Sequence, residues 1–343
     1  MDTSDIKLTQ FSTGAGCGCK ISPADLREIL CKVPDQSGFD ALLVGCESRD
    51  DAAVCDLGNG QAVISTTDFF TPITDDPWDF GRIAAANAIS DIYAMGGKPL
   101  MAISILGWPL AKLPATIAGR VIEGAADLCK QAGIPLAGGH SIDISDPVFG
   151  LSVTGLVKKD CIKQNNTARA GCRLFLSKPL GIGILSTAAK KNLLEEQDYL
   201  NSVNWMTKLN AVGTELGGMD FVQAMTDVTG FGLLGHLLEI CEGSRLTARI
   251  HFDAIPVLDH IRDYIKKNCI PGGTYRNWKS YGDKIAEINE YQKLVLADPQ
   301  TSGGLLIAVD REARELDAFA RRHGFSEIGE LGDEIQEKLI VVD

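Results

Sequence analysis

No apolar run in this sequence approaches the roughly 20 residues needed to cross a bilayer. Its first residues, Met-Asp-Thr-Ser-Asp-Ile-Lys, show no basic stretch leading into an apolar one, so no secretory leader is expected. Positive charge is short: 33 basic residues face 45 acidic ones, for a formal net charge of −12. That balance disfavours non-specific nucleic-acid binding, which needs lysine and arginine to neutralise phosphate. Zinc motifs are missing, with no pair of CxxC units, no HExxH, and histidines isolated at 140, 236, 251, 260 and 323. The ten cysteines lack the density of a disulfide-stapled secreted domain and read as reduced thiols of a cytoplasmic protein. A Walker A loop is absent too, because Cys19 stands where that motif requires glycine before Lys20.

What is present is a chain of 343 residues, 45% hydrophobic, long enough for two domains or one elaborated domain. Ser22 and Pro23 predict the start of a short helix to Leu30. Strands are expected over 41–46, 52–57 and 62–66, then a helix over 79–95 stopped by Gly96-Gly97. A buried strand at 101–106, a helix at 115–132, a glycine turn at 138–141 and a strand at 149–157 complete the first half. Residues 158–171 read as a polar linker. The second half restarts with a strand at 173–177 and a glycine-punctuated segment (178–183) entering a helix. A polar region near 190–205 precedes another helix to about Leu216, and an apolar helix begins near Leu233. A Gly-, Tyr- and Trp-containing loop is expected at 268–283, and a strand at 305–309. Strands and helices recur in both halves, which favours an α+β or α/β build in two domains.

The chemistry concentrates in Thr-Gly-Ala-Gly-Cys-Gly-Cys-Lys, residues 13–20. Thiolate is the reactive form of cysteine, and a nearby cation favours it. Cys17 and Lys20 therefore pair a soft nucleophile with a point charge suited to phosphate, on a backbone made pliable by glycine. Four aspartates add hard oxygen ligands. Asp51 sits in a turn between strands, Asp68 follows a strand, and Asp91 lies four residues after Asn87 on one helix face. Asp227 precedes a glycine turn that opens a helix. Aspartates at strand ends commonly only cap or turn the chain. Asp91 is different, because its helix is otherwise rich in alanine and isoleucine and a lone buried carboxylate is costly. Glycine turns at 138–141, 181–183 and 301–304 could each present backbone N–H groups to phosphate, although most such turns only reverse the chain. Together these residues read as a metal-dependent, phosphate-handling enzyme without a P-loop.

The chain resembles the selenophosphate synthetase family, within a superfamily of ATP-using aminoimidazole ribonucleotide synthetase-like enzymes. The resemblance is carried by segments 13–20, Arg-Asp-Asp-Ala-Ala-Val (49–54), Thr-Thr-Asp-Phe-Phe (66–70) and Ala-Ile-Ser-Asp-Ile-Tyr-Ala-Met-Gly-Gly (88–97). Leu-Ala-Gly-Gly-His-Ser-Ile (136–142), Met-Thr-Asp-Val-Thr-Gly-Phe-Gly-Leu-Leu-Gly-His (225–236) and Asp-Pro-Gln-Thr-Ser-Gly-Gly-Leu-Leu (298–306) extend it along essentially the whole chain. It implies an α+β fold of two domains with a barrel-like dimeric core: a catalytic N-terminal segment (1–47), an ATP- and Mg-binding domain (48–158) and a C-terminal domain (170–343). It implies a cytoplasmic homodimer that turns ATP, hydrogen selenide and water into selenophosphate, AMP and orthophosphate. A selenium-delivery protein is a further expected partner; nucleic acid and membrane are not.

By the same resemblance Cys17 and Lys20 are catalytic. Lys20, Ser48, Arg49, Asp50, Asp68, Gly139, His140 and Ser141 contact ATP, and Asp51, Asp91 and Asp227 bind Mg²⁺. Two roles stay open for Cys17: delivering selenium, which the flanking glycines favour, or orienting the loop and shielding selenide. Cys19 carries no settled role. Rival readings are another ATP-using member of the superfamily, or a selenium carrier or thiol redox sensor without turnover. The Cys17/Lys20 pair argues against the first, and the aspartates and glycine turns against the second.

Overall fold

The computed structural model describes residues 6–12, 14–21, 23–30, 38–45, 49–333 and 338–343. In the first half, helix α1 (Pro23–Leu30) is followed by strands β1 (Leu42–Val44), β2 (Ala53–Asp56) and β3 (Gln61–Phe70). Helix α2 (Pro77–Ala94), β4 (Lys98–Trp108), α3 (Ala115–Gln131), β5 (Leu136–Asp143) and β6 (Val148–Lys158) complete it. The six strands form one sheet in the order β1-β2-β3-β6-β4-β5, antiparallel except for the β4–β5 pair, which α3 connects. Strand β3 is longer than its apolar core suggests because it pairs along its whole length with β6, from Gln61 opposite Lys158 to Phe70 opposite Phe149.

Helix α2 begins where the Asp76 side chain accepts the Asp79 N–H at 2.8 Å, with Pro77 in the first turn. Its alanine- and isoleucine-rich body is buried on nearly every side, as an all-round apolar helix must be. It packs against α3, β3, β6 and the second domain, which makes it the element through which both halves meet.

The second half contains β7 (Arg173–Leu176), α4 (Ile182–Lys190), α5 (Glu196–Thr207), α6 (Val212–Gly217), β8 (Val222–Asp227), α7 (Gly232–Ser244) and β9 (Thr247–Ile250). Then come α8 (Ile261–Lys266), α9 (Gly272–Tyr281), α10 (Glu290–Leu296), β10 (Leu305–Val309), α11 (Glu315–His323), β11 (Ser326–Gly332) and β12 (Ile340–Val342). Its sheet runs β12-β9-β11-β7-β10-β8, with β12–β9 the parallel pair. All five residues of β10 are buried, in keeping with the unbroken apolar run Leu-Leu-Ile-Ala-Val.

Several expectations change. Residues 138–141 form no turn: they lie in the parallel edge strand β5, where Gly139 faces Ser104. A Cβ at Gly139 would sit 2.1 Å from Ser104 Oγ, so glycine there permits close strand approach. The 190–216 region holds two helices, α5 and α6, separated where Asn210 turns inward and donates to Ser90 Oγ (2.8 Å) and the Gly303 carbonyl (2.9 Å). The 268–283 segment is largely helix α9, whose buried residues Thr274, Asn277 and Tyr281 follow a helical period. Strand β4 is not buried throughout: Leu100, Met101 and Ile103 are exposed. The 158–171 segment is pinned down, since buried Lys163 Nζ donates to the Met219 (3.1 Å) and Val222 (2.8 Å) carbonyls. Among the described residues, no helix is long and apolar enough to cross a membrane.

Candidate active site

Three carboxylates converge from both domains. Asp51 precedes β2, Asp91 projects from the last turn of α2, and Asp227 ends β8. One ligand oxygen from each lies within 4.8 Å of the others. Two threonines hold the set in place: Thr226 Oγ1 donates to Asp51 Oδ1 at 2.9 Å and Thr66 Oγ1 to Asp91 Oδ2 at 2.5 Å. Burial and mutual repulsion push the Asp51 and Asp91 carboxyls well above the usual range, and burial raises Asp227 as well. Asp51 Oδ2 and Asp227 Oδ2 are buried and accept from no protein donor. Packed carboxylates with orphaned oxygens fit a hard divalent cation, which would neutralise the repulsion and fill the vacant acceptor positions.

The 14–20 loop closes over this cluster. Gly16–Cys19 form one 3-10 turn. The Cys17 amide donates to Thr301 Oγ1 at 3.0 Å, and the Cys17 thiol donates to Asn87 Oδ1 at 3.2 Å. Asn87 fills both acceptor positions of its Oδ1, which also accepts the Ser302 N–H at 2.8 Å, and its Nδ2 donates to Asp68 Oδ2 at 2.5 Å. Asp68 in turn lies 3.4 Å from Lys20 Nζ. A chain of contacts thus runs from thiol through amide and carboxylate to ammonium. Gly230 admits the loop, since a Cβ there would fall 2.7 Å from the Cys17 carbonyl and 2.9 Å from Lys20 Cδ.

Electrostatics separate the two loop residues. Burial drives the Cys17 thiol far up, and Lys20 only partly offsets it, so the docked Cys17 is a neutral thiol. This reverses the expectation drawn from the adjacent cation alone. For Lys20, burial pulls down, but Asp68 and the surrounding acids outweigh it and hold the ammonium charged. Cys19 points the other way and is exposed, its Sγ donating to the Gly16 carbonyl at 2.9 Å.

Residues 49–157 match the family model for the AIR synthase related protein, N-terminal domain, and residues 169–342 match its C-terminal counterpart. A selenide, water dikinase from Photobacterium profundum is 58% identical over 95% of this chain and 96% of its own length. One from Yersinia pseudotuberculosis is 58% identical over 96% of each chain. The chain belongs to the selenide, water dikinase family. The fold is likewise that of a thiamine-monophosphate kinase from Stenotrophomonas maltophilia, 20% identical with a TM-score of 0.65 over 93% of this chain and 95% of that one.

For this selenide, water dikinase family member, the structure brings together Cys17, Lys20, Asp51, Asp68, Asp91 and Asp227. Arg49 and Asp50 lie beside the cluster but are engaged with other partners: Arg49 pairs with Glu242 at 3.0 Å, and Asp50 Oδ1 accepts the N–H of buried Asn165 at 2.6 Å. Ser48 lies outside the described residues. Gly139, His140 and Ser141 do not join the cluster within one chain. They are exposed on β5, the far edge of the sheet, three strands from β3.

The 181–183 glycine segment is structural. The Gly181 and Ile182 amides donate to Gln300 Oε1 (3.2 and 3.1 Å), and the Gly183 amide donates to Asp298 Oδ2 (3.0 Å). Asp298 and Gln300 therefore cap α4, and those N–H groups are not offered to phosphate. Asn87, Thr301, Thr66 and Thr226 are the site residues that sequence reasoning missed. Their signal was adjacency to residues already chosen: Asn87 one turn before Asp91, Thr226 beside Asp227, and Thr301 in a glycine segment credited only with backbone donors.

Proposed function

We propose that the chain carries out its family's reaction at this site, converting ATP, hydrogen selenide and water to selenophosphate, AMP and orthophosphate. One observation carries this reading: the loop bearing Cys17 and Lys20 docks onto a buried three-carboxylate cluster built from both domains. Asp51, Asp91 and Asp227 would hold Mg²⁺. When bound, the cation supplies charge neutralisation and a template for the polyphosphate oxygens.

Lys20, held charged and oriented by Asp68, stabilises the negative charge of the γ-phosphoryl group during transfer. Selenide attacks the γ-phosphorus, a P–Se bond forms, and the bond to the β-phosphate oxygen breaks to leave ADP. Water then attacks the β-phosphorus of the retained ADP, giving AMP and orthophosphate. The docked 14–20 loop excludes bulk water during the first transfer. Cys17, buried in that loop, delivers selenium or screens it from oxidation. Segment 1–47 thus supplies the loop and 48–158 the nucleotide site, and the loop closes against both 48–158, at Asn87 and Asp68, and 170–343, at Thr301.

Gly139, His140 and Ser141 reach a nucleotide only in a homodimer. Supporting that assembly, β4 and β5 present apolar side chains outward: Met101 is 42%, Ile103 44% and Ile142 54% exposed. The β5 edge is also free to pair or be covered. A second copy seated there brings its own 139–141 segment toward a partner site. The reaction is tested by measuring AMP formed from ATP as a function of selenide and Mg²⁺. Lys20→Ala is expected to lower selenide-dependent AMP formation by about 100- to 1,000-fold, the scale of one lost charge-stabilising donor. AMP formation that ignores selenide, or a fully active Lys20→Ala enzyme, overturns the reading.

A further inference from the structure

The reverse side of the 14–20 loop faces a cleft of about 590 Å³ between the loop, α4 and α9. Cys17 and Lys20 turn away from it toward Asn87 and Asp68, whereas Cys19 lines it. Three cations share the lining: Lys190, Lys191 and Arg276. Among the described residues no aspartate or glutamate lines this cleft, although the chain as a whole carries a net charge of −12. Two of the cations are tied to the loop itself: Lys190 Nζ donates to the Gly14 carbonyl at 3.3 Å, as well as to the preceding Ser12 carbonyl at 2.7 Å, and Arg276 Nη2 to the Gly18 carbonyl at 2.7 Å. Their charge is therefore fixed against the loop. Thr301 belongs to both sides, lining the cleft while its Oγ1 accepts the Cys17 amide at 3.0 Å. Gly18 and Cys19, the two residues after the buried Cys17, both line the cleft.

We propose that this cleft is a second binding site, selective for small soft anions, that holds hydroselenide before it passes the loop to the phosphoryl-transfer site. This rests on the reaction proposed above. Hydrogen selenide ionises well below neutral pH, so its prevailing form is a compact, polarisable monoanion. Asp51, Asp91, Asp227 and a polyphosphate together carry more negative charge than a bound divalent cation offsets, which makes direct approach from their side unfavourable for that anion. A concavity on the opposite side, lined by cations and by no carboxylate among the described residues, concentrates it instead. The exposed Cys19 thiol adds a soft polarisable contact, and no bond to selenium is required.

Two measurements on the full chain test the site. Lys191→Glu and Ser186→Glu each place a negative charge in the cleft without touching the carboxylate cluster. With free selenide under anaerobic conditions, each is expected to raise the KM for selenide by about tenfold, the lower end of what such a field adds to local anion concentration. The KM for ATP should hold at its wild-type value. Independently of turnover, alkylation of Cys19 is followed by peptide mass spectrometry with iodoacetate, an anion, and iodoacetamide, its neutral analogue. Wild type is expected to favour iodoacetate relative to Lys191→Glu, with the preference fading in high salt. An unchanged selenide KM in both variants, or an unchanged ratio of the two reagents in Lys191→Glu, overturns the proposal. Because the alkylation ratio needs no catalysis, it separates failure of this site from failure of the proposed reaction.

Discussion

Asn87 shows how much of this site depends on a single uncharged side chain. It satisfies the Cys17 thiol, the Ser302 amide and Asp68 at once, so its amide fixes both the loop and the carboxylate that orients Lys20. A serine at position 17 can still donate to Asn87 Oδ1 but cannot act as a soft selenium ligand. Cys17→Ser is therefore expected to keep Mg-ATP binding while selenophosphate formation from free selenide falls by about 100-fold or more, the scale for losing a directly participating group. Full activity with free selenide would remove Cys17 from the transfer step. The threonines behind the aspartates act through them. Thr226→Val deletes the 2.9 Å donor to Asp51 and should weaken Mg²⁺ binding by about 10- to 100-fold, read by titration calorimetry. Cys17, Lys20 and the aspartates were legible because their chemistry resides in the residue types and in the motifs around them. Asn87 and Thr301 were not, because an amide or hydroxyl acquires its role only from the partner that folding brings to it.

At the scale of elements, local signals placed helices better than they placed strands. The Asp76 cap and Pro77 start α2, and Gly96-Gly97 follow its end, all readable from neighbouring residues. Strand β5 was hidden because Gly138-Gly139 resembles a turn, whereas in the sheet Gly139 lets two backbones approach. Helix α9 was hidden because its Gly, Tyr and Trp content obscured a buried stripe that only tertiary packing displays. Strands β4 and β5 leave apolar side chains outward, against the expectation of a buried strand. Ile103→Glu puts a charge in the middle of that face. It is expected to convert the proposed dimer to monomer in analytical ultracentrifugation and to lower activity, with the monomer retaining its far-UV circular dichroism. A variant that stays dimeric would place the interface elsewhere.

Across the whole molecule, the carboxylate cluster joins the two domains at groups whose protonation burial shifts. Burial and mutual repulsion raise the Asp51 and Asp91 pKa values well above their ordinary range. A carboxyl raised in the folded state contributes stability below its unfolded pKa and loses it as pH rises through the folded one. In EDTA, the wild-type melting temperature should therefore fall more steeply than that of Asp91→Asn as pH rises from about 4 towards neutral. Under the proposed Mg²⁺ site, a cation that binds only the folded state should remove most of that difference near neutral pH. Equal slopes for the two proteins in EDTA would mean that the cluster is not under charge repulsion.

The sequence by itself determined the chemistry available to this protein: a thiol and a lysine on a glycine-rich loop, dispersed aspartates, and an alternation of strands and helices in two halves. Those are properties of residue type, spacing and local propensity, which do not depend on what lies far along the chain. Tertiary structure decided which residues share a site. It brought Asp51, Asp91 and Asp227 together from two domains, seated Cys17 against Thr301, and left Gly139–Ser141 on a distant edge. It also set protonation, because the burial that keeps Cys17 a thiol and the surrounding acids that keep Lys20 charged exist only once the chain has folded around them.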